Sequence, residues 1–335
     1  MDELDIHPRI LTAVKRAHLN KLEDILIFSA LELERRTKLS SSDVSVLKRA
    51  VAELIPKPVR VTALALHSHS VPDDLKIRKL TTGCPVLDKF LSGGIMSRGI
   101  TEITGISASG KTQLCLQLGL TAQLPCSQGG LKGGAVYICT EDAFPNKRLY
   151  QMMQHFRKNT SASMGNTAQL SDSIFVEHVA DVDGLHHCIS RKLPVLLSRG
   201  AVKLVIIDSV AALFRCEFEA GQMVHRAKSI GTLGSCLHKL SAKFNIPVVC
   251  VNQVSDSFSE GASGKVVPAL GLTWSNYVTT RLMLSRLTGI LSVSGQNTGK
   301  PTPNVLRNIE ILFSPHLPNM SCDFIIDQEG VKGIG

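Results

Sequence analysis

The sequence predicts an α/β protein in which a mostly parallel central sheet, flanked by helices, follows a small all-α N-terminal domain. Three observations lead to this prediction. Residues 5–55 carry apolar positions at helical spacing, and from residue 80 onward apolar strand-like runs alternate with helical segments. A phosphate-loop motif lies between one such strand and the helix after it. No repeat of about 20 to 50 residues is visible, which argues against a solenoid.

The phosphate-loop motif spans residues 105–112, which match the pattern G-x-x-x-x-G-K-[ST]. A strand-like run at residues 99–104 precedes it, and the proline-free apolar run at residues 113–120 is typical of a buried helix. A glycine-rich turn that arose by chance is the alternative interpretation. The residues predicted to bind the nucleotide are Gly105, Ile106, Ser107, Ala108, Ser109, Gly110, Lys111, Thr112 and Gln113.

The residue types of this loop explain its expected chemistry. Gly105 and Gly110 let the backbone turn its N–H groups toward phosphate oxygens, and the helix that begins near Lys111 adds its positive dipole end. Lys111 is predicted to reach the β- and γ-phosphates of ATP, and the hydroxyl of Thr112 is predicted to bind Mg²⁺.

Polar residues that follow three other apolar runs extend this site. Asp208 is predicted to hold Mg²⁺ through water, although an acid in this position also suits a turn cap. Glu141 is predicted to activate the attacking water, with Asp142 as the competing candidate. Asn252 and Gln253 are neutral amides that are predicted to sense the γ-phosphate.

Composition and charge place the chain among globular proteins. Hydrophobic residues make up 44% and charged residues 19% of its 335 residues, a length that suits one large core plus a small accessory domain. The net charge of +9 is compatible with a polyanionic partner and equally with a solvated surface. No apolar run reaches the length of a membrane span, about 18 residues, and the acidic N-terminus is unlike a secretory signal. We therefore expect a soluble intracellular protein.

The nine cysteines are odd in number and form no C-x-x-C pair. Several, such as Cys250, lie within apolar runs. We therefore expect buried thiols in a reducing compartment, with neither a disulfide framework nor a zinc site.

The predicted domain boundaries are residues 1–55 for the helical domain, 56–78 for a linker and 79–335 for the core. Two prolines end the helical domain, because proline cannot continue a helix. Within the linker, residues 59–64 are β-prone. This segment either adds to the sheet of another subunit or pairs within its own domain, and the sequence favours neither.

Individual elements follow from the same patterns. Helices are expected at residues 8–17, 21–29 and 44–54. Strands are expected at residues 101–104, 135–139, 174–179, 204–207, 247–251, 281–284, 308–313 and 323–326. Antiparallel pairing is an open alternative for the last group of strands.

Together these motifs resemble the RecA-like strand-exchange recombinases, in the eukaryotic form that carries a small helical N-terminal domain. The resemblance runs along nearly the whole chain. It rests on Thr81-Thr82-Gly83, Gly93-Gly94-Ile95, Gly110-Lys111-Thr112-Gln113, Thr140-Glu141, Asp208-Ser209, Asn252-Gln253-Val254 and Ser314-Pro315-His316-Leu317-Pro318. A closer resemblance, to a paralogue of the main recombinase, rests on residues 134–145, 177–183, 194–200 and 214–218.

The resemblance implies a RecA-like ATPase core that binds ATP and Mg²⁺ and acts in homologous recombination repair of DNA double-strand breaks. It implies that Glu141 is the catalytic glutamate, that Arg148 packs on the adenine and that Gln253 senses the γ-phosphate. The segments after Ala212 and after Gln253 match loops that face DNA in the family's filaments.

The same resemblance implies the partners and the location. The partners are another recombinase paralogue, in a heterodimer, the main strand-exchange recombinase, and single-stranded and branched DNA, with no membrane. The location is the nucleus, with a cytoplasmic pool.

Four departures from the family pattern bear on mechanism. Ile106 stands where the family usually has a glutamate in the phosphate loop. Phe313 replaces an acidic residue of the segment that covers ATP from the next subunit, and Arg60 replaces the aromatic residue that anchors the linker in a neighbouring subunit. The second DNA-facing loop, residues 254–267, carries Lys265 as its one basic residue. These changes argue against autonomous filament growth, because phosphate neutralisation supplies much of the affinity for single strands.

Three hypotheses about function follow. The leading one is a recombinase paralogue and weak DNA-dependent ATPase that assists assembly or stability of the recombinase filament on single-stranded DNA. The second is an autonomous DNA-dependent ATPase that catalyses strand exchange, and the third is an adapter in which ATP only locks a subunit interface. A phosphate-loop kinase is a further alternative, but no acceptor-binding lid with clustered arginines is visible.

Overall fold

The computed structural model describes residues 6–19, 22–54, 60–68, 70–72, 75–159, 167–256, 266–294 and 301–335. The chain divides into two compact units, Met1–Val71 and Pro72–Gly335. Among the described residues, no helix combines the length and the apolar character that crossing a bilayer requires.

The N-terminal unit is helical in its described part. Its helices are α1 (Pro8–Arg16), α2 (Leu22–Ile27), α3 (Ala30–Thr37), α4 (Ser41–Leu54) and α5 (Ala63–His67). The apolar stripe predicted on the first helix is buried at Ile10 and Val14, which pack in one core with Leu33 and Leu47. The Ser40 hydroxyl accepts a hydrogen bond from the Asp43 backbone N–H at 3.1 Å, and this bond caps the start of α4.

The β-prone segment of the linker forms no strand in its described part. Instead α5 begins at Ala63, and the Thr62 hydroxyl caps it by accepting a hydrogen bond from the Ala65 backbone N–H at 3.1 Å. The β interpretation of Ala63 and Leu64 is therefore wrong for this chain on its own. Alanine and leucine are strong helix formers, and a capped helix satisfies its own backbone groups without a neighbouring strand. Val59 lies outside the described residues.

The second unit is built on a sheet of nine strands. The strands in the described part of the unit, including two short pairs outside that sheet, are β1 (Lys79–Leu80), β2 (Ile95–Met96), β3 (Ile100–Gly105), β4 (Gly134–Cys139), β5 (Ile174–His178), β6 (Val202–Asp208), β7 (Val248–Asn252), β8 (Val254–Asp256), β9 (Val266–Pro268), β10 (Thr280–Ser294), β11 (Pro301–Phe313), β12 (Ser321–Ile326) and β13 (Val331–Gly333). In the large sheet the order is β13-β12-β11-β10-β3-β7-β6-β4-β5.

The pairing within this sheet changes direction once. The strands from β10 to β5 are parallel to one another, whereas β11, β12 and β13 continue the sheet by antiparallel pairing. The antiparallel alternative for the last group of strands is thus correct, since β10 with β11, β11 with β12 and β12 with β13 all pair antiparallel. The predicted mostly parallel sheet flanked by helices is confirmed.

Helices cover both faces of the sheet. They are α6 (Pro85–Phe90), α7 (Lys111–Thr121), α8 (Asn146–Asn159), α9 (Thr167–Asp172), α10 (Val182–His187), α11 (Leu193–Ser198), α12 (Ala211–Cys216), α13 (Met223–Phe244) and α14 (Gly271–Ser275). Strand β7 illustrates how the faces divide, because Val249 and Val251 join the core that contains α7, while Val248 and Cys250 join the core that contains α13. From Leu114 to Thr121, every residue of α7 is buried, as predicted from its apolar run.

A buried carboxylate joins the middle of the sheet to α14. Glu102 in β3 is fully buried and accepts hydrogen bonds from Asn252 Nδ2 at 2.6 Å and from the Trp274 indole N–H at 2.9 Å. Its other oxygen pairs with Arg281 of β10, whose side chain is also buried. One carboxylate therefore holds β3, β7, β10 and α14 in a fixed arrangement.

We expect Glu102→Gln to lower the free energy of unfolding by about 3 kcal/mol or more, because it leaves the buried Arg281 cation without its counter-charge. Glu310→Gln is the matched control, since Glu310 is an exposed glutamate in the same sheet. The measurement is chemical denaturation of both variants beside the wild type. Equal midpoints for the two variants would contradict a structural role for the buried pair.

Candidate nucleotide-binding site

The phosphate loop connects β3 to α7 at the carboxyl edge of the parallel strands. Gly105 has a φ of +151°, and a Cβ atom there would lie 2.2 Å from the carbonyl oxygen of Leu284 in the neighbouring strand. Gly110, with a φ of +110°, is the N-cap of α7. Only glycine adopts both conformations without strain, so the two glycines of the motif are required by the path of the backbone.

A cavity of about 760 Å³ opens above this loop and brings most of the predicted site together. The predicted residues that line it are Gly105, Ile106, Ser107, Ala108, Gly110, Lys111, Thr112, Gln113, Glu141, Asp142, Arg148, Asp208 and Gln253. Ser109 and Asn252 are the exceptions, because both are fully buried. The Ser109 hydroxyl has no hydrogen-bond partner among the described residues, and the Asn252 amide donates to Glu102 inside the sheet, so Asn252 is not placed to sense a phosphate.

Lys111 lies against the loop that precedes it. Its Nζ atom donates hydrogen bonds to the carbonyl oxygens of Gly105 and Ile106, each at 2.8 Å. Burial lowers the pKa of Lys111, and the negative charges of Asp208 and Glu141 oppose that shift. The ammonium group is thus partly stripped of water at the floor of the cavity, where a phosphate oxygen can replace the carbonyls.

Asp208 ends β6 and receives two hydrogen bonds on a single carboxylate oxygen. Thr112 Oγ1 donates to its Oδ2 at 2.7 Å, and the Tyr137 hydroxyl donates to the same oxygen at 2.6 Å. Burial raises the pKa of Tyr137 well above its usual value, so the phenol stays protonated and remains a donor. A hydroxyl and a carboxylate in contact are the oxygen donors that Mg²⁺ prefers.

Glu141 and Gln253 are in direct contact. Glu141 Oε1 accepts a hydrogen bond from the Gln253 side-chain amide and another from the Ser209 hydroxyl, the latter at 2.8 Å. The amide oxygen of Gln253 in turn accepts a hydrogen bond from Arg215 of α12. A chain of polar contacts therefore runs from the segment after Ala212 to the predicted catalytic carboxylate.

Arg148 of α8 forms another wall of the cavity. Its Nε donates to Gln113 Oε1 at 2.6 Å, and its terminal nitrogens donate to the carbonyl oxygens of Asp327 at 2.6 Å and Gln328 at 3.1 Å. Burial lowers the pKa of Arg148, and the charge of Asp327 opposes that shift. These contacts fix the plane of the guanidinium, while its packing on an adenine stays a prediction.

The residues present fit a nucleoside triphosphate with Mg²⁺. The glycine-containing phosphate loop, the partly buried ammonium of Lys111 and the contacting hydroxyl of Thr112 and carboxylate of Asp208 meet in one cavity. Within the described residues, no group of three histidine, cysteine or acidic side chains is arranged to hold a metal by itself. A metal in this cavity would take phosphate oxygens as ligands in addition to protein oxygens, as Mg²⁺ does in phosphate-loop proteins.

The structure adds residues that the sequence did not single out: Arg215 and Arg307 line the cavity, and the buried Tyr137 contacts Asp208 beneath it. Tyr137 lies two positions before the end of β4, Arg215 lies in α12, and Arg307 lies in β11. The sequence does contain a signal for Tyr137, because its phenol hydroxyl is a polar group within the apolar run of β4. No local signal marks Arg307, because it reaches the cavity only through antiparallel pairing of distant strands.

Two of the departures from the family pattern also have observed surroundings. Ile106 lines the cavity with an exposed side chain. The ring of Phe313 lies under the Arg281 guanidinium, whose Cζ is 4.9 Å from the ring centroid. Lys265, in the second segment predicted to face DNA, lies outside the described residues.

Comparison with known proteins agrees with this architecture. The Rad51 family model matches residues 74–334. The chain belongs to the Rad51 family. Residues 1–55 match the helix-hairpin-helix domain described as XRCC3/RpoA-like. The RecA-like core after a small helical domain is therefore confirmed.

The relatives confirm the closer resemblance, which is to the third X-ray repair cross-complementing protein. The chain is 44% identical to the DNA repair protein XRCC3 of Mus musculus over 346 residues, covering 100% of this chain and 98% of the relative. Identity to XRCC3 of Bos taurus is also 44%, with the same coverage. Identity to the DNA repair protein RAD51 homolog 2 of Homo sapiens is 32%, over 95% of this chain and 84% of the relative.

We expect Gly105→Ala to disrupt the phosphate loop, because its Cβ atom would collide with the Leu284 carbonyl in the adjacent strand. The strain of about 1–3 kcal/mol should lower the thermal midpoint and weaken nucleotide binding together. Gly221→Ala is the control, since a Cβ atom at Gly221 meets no atom within 4 Å. Unchanged nucleotide binding by Gly105→Ala would contradict the requirement for glycine.

The reactivity of the cysteine thiols gives a separate check of the burial of β4, which ends beside the cavity. Burial and the nearby charge of Asp208 raise the pKa of Cys139 to about 11, so little of this thiol is thiolate below that pH. Cys126 and Cys216 are exposed. At pH 8 we expect iodoacetamide to modify the two exposed cysteines first, as followed by peptide mass spectrometry. Equally fast modification of Cys139 in the folded chain would contradict its burial under the cavity.

Proposed function

We propose that this chain is an ATP-binding subunit that acts in homologous recombination repair of DNA double-strand breaks, where it assists assembly or stability of the recombinase filament on single-stranded DNA. Its relatives in mouse and cow are named as DNA repair proteins. The single observation that carries the ATP-binding part is the cavity in which Lys111, Thr112 and Asp208 meet on a glycine-built loop.

Each of these residues has a task in the proposal. Lys111 neutralises phosphate charge from the floor of the cavity, and the backbone N–H groups at the start of α7 do the same from the loop. Thr112 and Asp208 hold Mg²⁺, which when bound neutralises charge on the phosphate oxygens. Tyr137 keeps the Asp208 carboxylate in place by donating to it.

Glu141 has the position and chemistry of a general base, because it follows the end of β4, next to β6, and lines the same cavity. In its present contacts, however, Glu141 Oε1 already accepts two hydrogen bonds, from Ser209 and Gln253. At least one of these hydrogen bonds has to break before Oε1 can accept one from an attacking water, so slow hydrolysis is part of the proposal. The same observation favours the adapter, in which ATP only locks a subunit interface, as the second candidate.

The proposed partners and the proposed cellular location rest on membership of the Rad51 family. The proposed partners are another Rad51 paralogue, in a heterodimer, the main recombinase, and single-stranded and branched DNA. The proposed location is the nucleus, with a cytoplasmic pool. The net charge of +9 agrees with a polyanionic partner.

The decisive test is ATP turnover by the full chain, alone and with its paralogue partner, with and without single-stranded DNA. We expect slow turnover that DNA accelerates. Glu141→Gln should reduce turnover by about 10²- to 10⁴-fold while still binding ATP, because it removes only the base. Lys111→Ala should lose ATP binding itself.

Asp142→Asn is the matched control, since Asp142 is the adjacent acid that lines the same cavity. Retained turnover in this variant assigns the base to Glu141, and loss in Asp142→Asn alone would assign it to Asp142. If no variant and no condition gives turnover, yet Lys111→Ala weakens pairing with the partner, the adapter is the correct function.

A further inference from the structure

Arg307 occupies an unusual position beside the phosphate loop. It lies in β11, lines the nucleotide cavity, and is half-buried. Its Cδ atom would lie 3.7 Å from a Cβ atom placed on Gly110, so the aliphatic stem crosses directly over the N-cap of α7. The guanidinium is thereby held next to the backbone that is expected to cradle phosphates.

The hydrogen bonding of this guanidinium is incomplete. One terminal nitrogen, Nη1, donates to the Val305 carbonyl oxygen at 2.9 Å. The Nε atom is buried and has no hydrogen-bond partner among the described residues. A buried donor on a cation without a partner is costly, and native structures rarely keep one without a reason.

No carboxylate compensates the charge in the described part of the chain. Asp327, an acid that also lines the cavity, forms its ion pair with Lys332 at 2.8 Å instead. Arg286 lies directly opposite Arg307 across the antiparallel pair of β10 and β11. Burial and the like charge of Arg286 both lower the pKa of Arg307. Two cations that face each other on neighbouring strands destabilise the sheet unless an anion lies between or beside them.

Packing alone does not account for these features. The stem of Arg307 covers Gly110 beside Ile326 and Phe324, and an uncharged side chain of similar length would provide the same cover. The charge and the unpartnered N–H become useful only when an anion enters the cavity. A guanidinium suits phosphate in particular, because its planar donors match the geometry of phosphate oxygens.

We propose that Arg307 is a phosphate-binding residue of the nucleotide cavity, and that its guanidinium donates hydrogen bonds to the phosphate oxygens of ATP alongside Lys111. This inference rests on the proposed ATP binding. Nucleotide affinity then depends directly on a residue of the antiparallel strands, which lie outside the phosphate-loop motif.

The test is the dissociation constant of a fluorescent ATP analogue with Mg²⁺, measured on the full chain for wild type, Arg307→Gln, Arg307→Lys and Arg286→Gln. Arg286 is the matched control, because it is the exposed cross-strand partner and does not line the cavity. We expect Arg307→Gln to weaken binding by about tenfold or more, since it removes charge-assisted hydrogen bonds. Arg307→Lys should recover part of that loss, and Arg286→Gln should leave binding unchanged or tighter.

Displacement of the analogue by inorganic triphosphate identifies the contacted group. If Arg307 binds phosphate, Arg307→Gln weakens inorganic triphosphate and ATP by similar factors. Weakening of ATP alone would mean that Arg307 contacts the base or the sugar, and would overturn the proposal.

Thermal unfolding without nucleotide separates binding from folding. The proposal expects Arg307→Gln to unfold at the wild-type midpoint or above it, because the variant removes a like-charge contact. Wild-type affinity in Arg307→Gln, in a preparation where Lys111→Ala does not bind, would overturn this inference and leave the proposed function standing. Absence of binding by the wild type would overturn both.

Discussion

The parallel pairing of β3, β7, β6 and β4 is the constraint on which the site depends. Parallel strands end at the same edge of a sheet, so the residues that follow them meet. The register pairs Cys139 with Asp208 and Thr104 with Asn252, which brings the phosphate loop, the candidate metal-binding acid, the candidate base and the candidate sensor to one edge. The buried Glu102 carboxylate helps to hold this register, because its partners come from β7, β10 and α14.

The cavity contains both signs of charge. Lys111, Arg148 and Arg307 line it, and so do Asp208, Glu141 and Asp327. Burial weakens the protonated form of all three cations, as the lowered pKa values indicate. An anionic ligand that brings a divalent cation, as proposed for ATP with Mg²⁺, would suit a cavity with both signs of charge.

Contacts around Glu141 connect the cavity to the surface predicted to face DNA. Arg215 belongs to α12, in the first of the two predicted DNA-facing segments, and contacts Gln253, which contacts Glu141. Any displacement of α12 therefore changes the hydrogen bonds of the candidate base. This geometry gives a physical route by which a partner bound at α12 would reach the candidate base.

The sequence by itself determined the alternation of strands and helices, the helical N-terminal unit, the phosphate loop and the acids at strand ends, because these features depend on local spacing and backbone conformation. It did not determine α5, where an N-cap bond and helix propensity overrode a β-prone run. Tyr137, Arg215 and Arg307 also depended on the tertiary structure. Their partners lie far away in the chain, so only the pairing order of the strands and the packing of α12 decided what they contact.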